Sequence, residues 1–348
     1  MSKKINILIT CMGGKYTYDL INAIKSIKNL KINIYGVDSN PKSEIFYIKK
    51  LYKVPKANNF KNYLKKIFSI CKKEKIKIIF PGSENEAILF SKKRELFKKK
   101  KITVLISNYQ IVSKLNDKGK MFNFLQKNNI DIGKWKLVNS GNNLKEIIGD
   151  IGYPAKKVVL KQRKGSGSRG IIILDSKIKK FKFLLPNRFC GIGDFNSVRK
   201  EFKKRKLKFS NLICMPYYGG DTYDVDCLAF NGNPQVIISR LRQYENALSP
   251  YNQGCILKNN LKIKNYIKRI INVFKIHGPC DFDVVIDNYG KPKLLDSSNR
   301  MSGSVGASFV AGYNLPEQII KYILGLKSKK IFPIKEHRLI PVNKFISI

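Results

Sequence analysis

The chain has 348 residues, 43% of them hydrophobic and 11% aromatic, which excludes a disordered polymer and leaves room for two or three domains with sizeable cores. Its formal net charge is +44, from 68 Lys and Arg against 24 Asp and Glu. The excess is mostly Lys spread along the whole chain, as in KKRELFKKKK, so it reads as solvated helix faces rather than a nucleic-acid interface.

Residues 5–10, INILIT, predict a strand that ends at Cys11-Met12-Gly13-Gly14. Leu20, Ile21, Ile24 and Ile27 then recur at helical spacing. INIYGVDSNP predicts a second strand, ending at Asp38 and a proline turn. Tyr63, Leu64, Ile67, Phe68 and Cys71 share one face of a helix. It leads into the strand IKIIFPG, an acidic turn Ser83-Glu84-Asn85-Glu86, and a further helix. ITVLIS, residues 102–107, predicts another strand. Strand and helix alternating over about a hundred residues imply a parallel, doubly wound sheet.

A domain boundary is expected near 108–120. Beyond it come a helix at 118–128, the strand VVLKQ at 158–162, a Gly/Ser loop and the run IIIL. A Lys-rich stretch without clear periodicity covers about 176–209. From NLICMPYY onward the strands lengthen and their connections read as antiparallel. YDVDCLAFNGNPQVIIS is a hairpin turning at Asn231-Gly232-Asn233, and DFDVVIDNYGKPKLLDSS is another turning at Asn288-Tyr289-Gly290. A helix at about 316–326 and a short strand-like end complete the chain, without internal repeats.

No apolar run approaches the ~20 residues that span a bilayer. The start MSKKINILIT lacks a signal-peptide pattern, so a cytoplasmic protein without a membrane partner is expected. The seven cysteines form no CxxC pair and only His277 and His337 accompany them. Zinc is therefore not expected, and the cysteines read as buried, reduced thiols.

Three segments carry chemistry. In LKQRKGSGSRGIIIL a strand delivers Lys161 and then Gly165-Ser166-Gly167-Ser168 and Gly170. Glycines let backbone N–H groups face an anion, and Lys161 adds a point charge, which suits phosphates. The order is not that of a P-loop, and a strand follows where a P-loop has a helix. On the hairpin 281–300, strand alternation sets Asp281, Asp283 and Asp296 on neighbouring strands, with Ser298 two positions beyond Asp296. Facing carboxylates repel unless a cation or proton lies between them, and such oxygen ligands suit Mg²⁺ with phosphate oxygens completing its shell. Arg300 follows as a fork for phosphate or carboxylate. Arg240 and Arg242 share one face of a strand, either clamping an anion or lying idle on a solvated edge.

The order Lys118, Lys161 with its Gly/Ser loop, YGGDTYDVD, and D-x(12)-D-x-S-N-R resembles the ATP-grasp superfamily, most nearly its carbamoyl-phosphate-synthase-like and biotin-carboxylase-like branch. INILITCMGG, GVDSNP, KVP, IIFPGSENEAILF and NDK resemble that branch's N-terminal part, so the resemblance covers nearly the whole chain. It implies an α/β Rossmann-like (pre-ATP-grasp) domain over 1–112, then an α+β ATP-grasp domain over 113–345. The latter would have a mobile lid at about 121–209 and a metal-binding antiparallel sheet at about 210–345.

The resemblance further implies an ATP- and Mg²⁺-dependent ligase, with Mn²⁺ as the alternative ion. It would activate a small-molecule carboxylate as an acyl phosphate for attack by an amine, and a homodimer is admissible. Lys118 and Lys161 would contact ATP phosphates under a flap formed by Gly165, Ser166, Gly167, Ser168 and Gly170. The stretch Cys214-Met215-Pro216-Tyr217 would read adenine through its backbone. Asp283, Asp296 and Ser298 would hold metal, and Arg300 with Arg242 or Arg240 would meet the transferred phosphoryl group or substrate. The chain departs from the family's E-x-N-P-R, with Ser298 at the ligand Asn position and Asn299 at the Pro position. Pro216 replaces a hinge Glu, and Thr222 replaces the ribose-binding acid, with Asp221 beside it as the substitute.

Two other readings compete. One is an ATP-grasp relative that binds nucleotide without turnover. The other is an NAD-dependent oxidoreductase, supported by a strand, a glycine pair, a helix and Asp38. Met12-Gly13-Gly14-Lys15 does not complete G-x-G-x-x-G, and the later hairpins have no place in such an enzyme.

Overall fold

The computed structural model describes residues 4–13, 17–41, 48–165, 170–185, 188–243, 254–327 and 335–341. The first sheet holds β1 (Lys4–Thr10), β2 (Lys31–Asp38), β3 (Lys50–Lys53), β4 (Ile78–Phe80) and β5 (Thr103–Val104), all parallel in the order β3-β2-β1-β4-β5. Its helices are α1 (Thr17–Lys25), α2 (Phe60–Lys73), α3 (Glu84–Lys92) and α4 (Arg94–Lys99). Both faces of β1 are buried in different cores. Ile5, Ile7 and Ile9 pack with Ile21 and Ile24 of α1, while Leu8 packs with Tyr63 and Ile67 of α2 and Phe90 of α3. The doubly wound expectation is met, since a parallel sheet covered on both faces needs apolar residues throughout its central strand.

Two helices, α5 (Tyr109–Leu115) and α6 (Lys118–Lys127), lead to the second sheet. It comprises β6 (Lys136–Val138), β7 (Val158–Gln162), β8 (Ile172–Leu174), β9 (Lys182–Phe183), β10 (Gly191–Gly193) and β11 (Leu212–Pro216), in the order β6-β11-β7-β8-β10-β9. Helices α7 (Leu144–Ile151) and α8 (Phe195–Lys204) bury Leu144, Ile148, Val198 and Phe202 against it.

The third sheet is antiparallel throughout: β12 (Thr222–Phe230), β13 (Asn233–Gln243), β14 (Gly254–Leu257), β15 (Gly278–Ile286), β16 (Pro292–Ser298) and β17 (His337–Leu339), in the order β16-β15-β12-β13-β14-β17. Helix α9 (Leu261–Phe274) lies beneath it, and α10 (Val305–Val310) and α11 (Leu315–Ile323) return to the first sheet. Both expected hairpins are present.

Several local expectations are corrected. Ser83 to Glu86 is not a turn before a helix: Ser83 caps α3, its Oγ accepting the Glu86 N–H at 3.3 Å. The strand expected over 102–107 is only Thr103–Val104, because Ser107 N–H leaves the sheet direction to donate to Asn299 Oδ1 at 2.9 Å. The stretch 176–209 contains β9, β10 and α8, whose buried Val198 and Phe202 are masked by surrounding Lys. Helix α5 occupies the expected linker, and α9 lies where no helix was assigned. All seven cysteines are free and six are buried, but Cys11 is exposed. Among the described residues, no helix is long and apolar enough to cross a membrane.

The first and third sheets meet closely at Gly278, which has φ +95° and whose missing Cβ would sit 2.4 Å from Leu105 O. Gly278→Ala should therefore cost about 1–3 kcal/mol in denaturant unfolding. Gly149, in α7 with nothing within 4 Å of an added Cβ, is the control, and Gly149→Ala should stabilise by about 0.4–1 kcal/mol.

Candidate functional site

Strand alternation builds the floor of the site. D-V-D on β12, R-L-R on β13, D-F-D on β15 and D-S-S on β16 each send their first and third residues to one face. The cross-strand register then lines up Arg240, Asp224, Asp283 and Asp296 in one row. The adjacent row is Ile238, Asp226, Asp281 and Ser298. The opposite face is mostly apolar: Tyr223, Val225, Phe282, Val284 and Leu294 pack with Ile267, Ile270 and Ile271 of α9.

Two guanidiniums make this acidic face tolerable. Arg240 is 0% exposed, with Nη2 donating to Asp226 Oδ1 at 2.8 Å and Nη1 3.9 Å from Asp224 Oδ2. The other Asp226 oxygen accepts the Ser308 hydroxyl at 2.5 Å. Arg242 bridges two strands, donating from Nε to Asp224 Oδ1 at 2.5 Å and from Nη2 to Asp283 Oδ1 at 2.5 Å. Burial works to raise the Asp224 carboxyl, but Arg242 and Arg240 overcome it and hold it low. Burial pushes Asp283 up to about 7 against the pull of Arg242, and burial with the neighbouring Asp283 charge drives Asp281 well above its ordinary range.

Two lysines approach from above. Asp117 caps α6, accepting from Lys120 N–H at 3.1 Å and from Arg163 Nε at 2.7 Å. The cap fixes Lys118, whose Nζ lies 2.9 Å from Asp296 Oδ2 and donates to Gly165 O at 2.8 Å. The β15–β16 register shifts between Asp283 and Val284, leaving Leu295 without a partner in the ladder. Its carbonyl accepts Lys161 Nζ at 2.6 Å. Burial, then the charge of Lys118, lowers the Lys161 ammonium to about 7.

A cleft between the second and third sheets gathers much of the expected constellation. Lys118, Lys161, Gly165, Met215, Tyr217, Arg242, Asp283 and Asp296 all line it. Thr222 lines it too, whereas the exposed Asp221 does not. Tyr217 N–H is already donated to Lys157 O at 3.1 Å. Ser298 does not line the cleft: it is buried with its hydroxyl unpartnered, opposite Asp281. Arg300 also lies off the lining, 3.7 Å from Glu84 and 3.9 Å from Asp281. Ser166, Gly167 and Ser168 fall outside the described residues. Arg240 is neither an open anion clamp nor an edge residue, because β13 is an inner strand and Asp226 holds its fork. Asp224 and Asp226 are site residues that went unassigned, though D-V-D carries the same period-two signal as D-F-D.

The donor set fits a hard divalent cation that brings ligands of its own. Asp283 and Asp296 face each other across the ladder, and no three His, Cys, Asp or Glu among the described residues group to hold an ion alone. Such an ion takes one or two carboxylates and completes its shell with water and phosphate oxygens.

Residues 208–344 match the family model "ATP-grasp in the biosynthetic pathway with Ter operon", and residues 7–105 match "PylC-like, N-terminal domain". No curated protein matches the sequence. Among solved structures, N5-carboxyaminoimidazole synthetase from Staphylococcus aureus, complexed with ADP, is similar at TM-score 0.69 and 14% identity, covering 98% of this chain and 82% of that one. Biotin carboxylase from Campylobacter jejuni, in a β,γ-ATP complex, gives TM-score 0.65 and 16% identity over 93% and 72% of the two chains. L-amino acid ligase from Bacillus licheniformis gives 0.67 and 12% over 93% and 75%.

Two stability outcomes follow from the charges. Arg240→Leu leaves Asp226 and Asp224 buried without their partner and should cost about 3–5 kcal/mol in denaturant unfolding. Lys161→Met should instead raise the melting temperature of the ligand-free protein. A lysine whose folded pKa lies near 7, below its ordinary 10.5, carries its full burial cost below pH 7 and sheds it as pH rises towards 10.5. The gain should thus be larger at pH 6 than at pH 9, and equal gains at both would contradict the assignment.

Proposed function

We propose, from the premise that the chain is an ATP-grasp protein with a PylC-like N-terminal domain, that it is an ATP- and Mg²⁺-dependent ligase joining a small-molecule carboxylate to an amine. The observation that carries this reading is the facing pair Asp283 and Asp296 with Lys118, Lys161 and Arg242 lining the same cleft. The Staphylococcus aureus and Campylobacter jejuni structures are complexes with ADP and β,γ-ATP, which supports a nucleotide in that cleft. The Bacillus licheniformis ligase supports an amine acceptor.

Asp283 and Asp296 would hold Mg²⁺, which when bound supplies positive charge against the phosphates. Lys118 and Lys161 would bind the β- and γ-phosphates, with Gly165 beside them. A substrate carboxylate oxygen forms a bond to the γ-phosphorus as the bond to the β,γ-bridging oxygen breaks, giving an acyl phosphate and ADP. Arg242, already in the cleft, would offset the charge that develops in transfer. The amine nitrogen then bonds to the acyl carbon, phosphate departs, and the nitrogen loses a proton. Walls such as Met215 and Tyr217 would keep water from the acyl phosphate.

A nucleotide-binding protein without turnover is the second reading. It draws on Arg300, which sits among acids rather than on the cleft wall. ADP release with Mg-ATP, screened across amino acids, hydroxy acids, bicarbonate and amines, separates the two. Turnover with any pair supports the ligase; stoichiometric Mg-ATP binding with no release supports the second reading. NADH binding without ATP binding contradicts both. Asp296→Asn should abolish Mg²⁺-dependent turnover while far-ultraviolet circular dichroism stays unchanged, and undiminished turnover would sink the metal assignment.

A further inference from the structure

The segment Asp296-Ser297-Ser298-Asn299-Arg300 has two faces. Asp296 and Ser298 belong to the acidic face, and Ser297 and Asn299 point the other way, 5% and 0% exposed. The Ser297 hydroxyl lies 3.2 Å from Leu115 O, at the last residue of α5, and 2.9 Å from Met121 Sδ in α6. Asn299 Oδ1 accepts the Ser107 N–H at 2.9 Å, just before Asn108, the N-cap of α5. Asn299 Nδ2 donates to Pro279 O at 2.8 Å. Ser107 is locked again by His277 N–H, donated to its Oγ at 2.8 Å. Alternate residues of one strand thus hold both ends of α5. The chain leaves α5 through Asn116 and Asp117 into Lys118, whose ammonium returns to Asp296 on the same strand at 2.9 Å. The circuit closes on itself, and every link except the backbone is a named polar contact.

We propose that Ser297 and Asn299 are positioning residues that hold α5 against β16 and thereby set the Lys118 ammonium on Asp296. Its consequence for phosphate binding rests on the nucleotide reading above; the placement of Lys118 does not. A proline at 299, the residue the family pattern has there, offers neither the amide acceptor nor the donor. The clamp is therefore a property of this sequence.

Acetylation of the ligand-free protein with an N-hydroxysuccinimide acetate, read lysine by lysine by peptide mass spectrometry, tests it. Lys293, paired with Asp131 and Asp287 outside the circuit, is the internal control. Both lysines are buried and should be protected in the wild type. In Asn299→Ala, Lys118 should react about tenfold faster while Lys293 is unchanged, the scale expected when a buried group loses its partner. Ser297→Ala should act in the same direction and carries the test if Asn299→Ala does not fold. Unchanged Lys118 in both variants, or Lys118 and Lys293 rising together as in general loosening, overturns the proposal. In a second arm, displacement of trinitrophenyl-ATP gives Mg-ATP affinity. Asn299→Ala should weaken it several-fold alone and add nothing in a Lys118→Met background; an additive loss also overturns the proposal. A wild type that shows selective Lys118 exposure in the variants but binds no Mg-ATP would sink the nucleotide reading and leave the clamp standing.

Discussion

The third sheet depends on Arg240 and Arg242. Four aspartates, Asp224, Asp226, Asp281 and Asp283, occupy two adjacent strands on one face. Cross-strand neighbours stand about 5 Å apart, where two like charges at an effective dielectric of about 20 repel by about 3 kcal/mol. Two such pairs would take up much of the stability of a domain, about 5–15 kcal/mol. Asp281, driven well above its ordinary range, favours its neutral form, and Arg240 and Arg242 on the neighbouring strand set attractions against the remaining repulsion. Lysine would not replace them equally, since Arg242 uses the breadth of its planar fork to reach Asp224 and Asp283 on two different strands.

The same face changes character along its length, and this ties the site to the rest of the chain. Past Asp226 the alternation brings Leu228, Val236 and Ile238, which join Ile5, Ile7 and Ile9 of the first sheet in one core. Arg300 lies between Asp281 of the floor and Glu84 in the first turn of α3. The first sheet therefore supplies both the apolar seat of the acidic strands and an acid on their border. The reverse face supplies most of the cohesion, with α9 burying Ile263, Ile267, Ile270 and Ile271 beneath Phe282 and Val284.

Features with a local cause were legible in the sequence. Asn-Gly at 231–232 and the Tyr-Gly turn at 289–290 announce hairpins, and the isoleucines of β1 announce a strand covered on both sides. The acid pair Asp283 and Asp296 followed from alternation and turn length alone. Features fixed by tertiary pairing were not legible. Period two gives Arg240 and Arg242 a shared face, but an inner strand and an edge strand have the same period, so their role as counter-charges was invisible. The unpaired Leu295 that receives Lys161 arises from a register shift that no local signal marks. Val198 and Phe202 of α8 were hidden by composition, because two apolar positions among many lysines give little contrast. Asp224 and Asp226 carry the same period-two signal as Asp281 and Asp283, but their hairpin lacks the Ser-Asn-Arg sequel that marks the other.

The charge pattern bears on how a ligand would enter. Without ligand, Asp296 is held by Lys118 and Asp283 by Arg242, so each proposed metal ligand already has a cation. A divalent ion arriving alone would have to displace both contacts and would then sit beside two released positive charges. A polyphosphate arriving alone would draw Lys118 away and leave Asp296 without its cation. With both bound, Lys118 and Lys161 would face phosphate while Asp283 and Asp296 would hold the ion, so each exchange would offset the cost of the other. On the proposed reading, metal and nucleotide binding are thus thermodynamically coupled through Lys118. The placement of that one ammonium by Ser297 and Asn299 then matters more than a single phosphate contact would suggest.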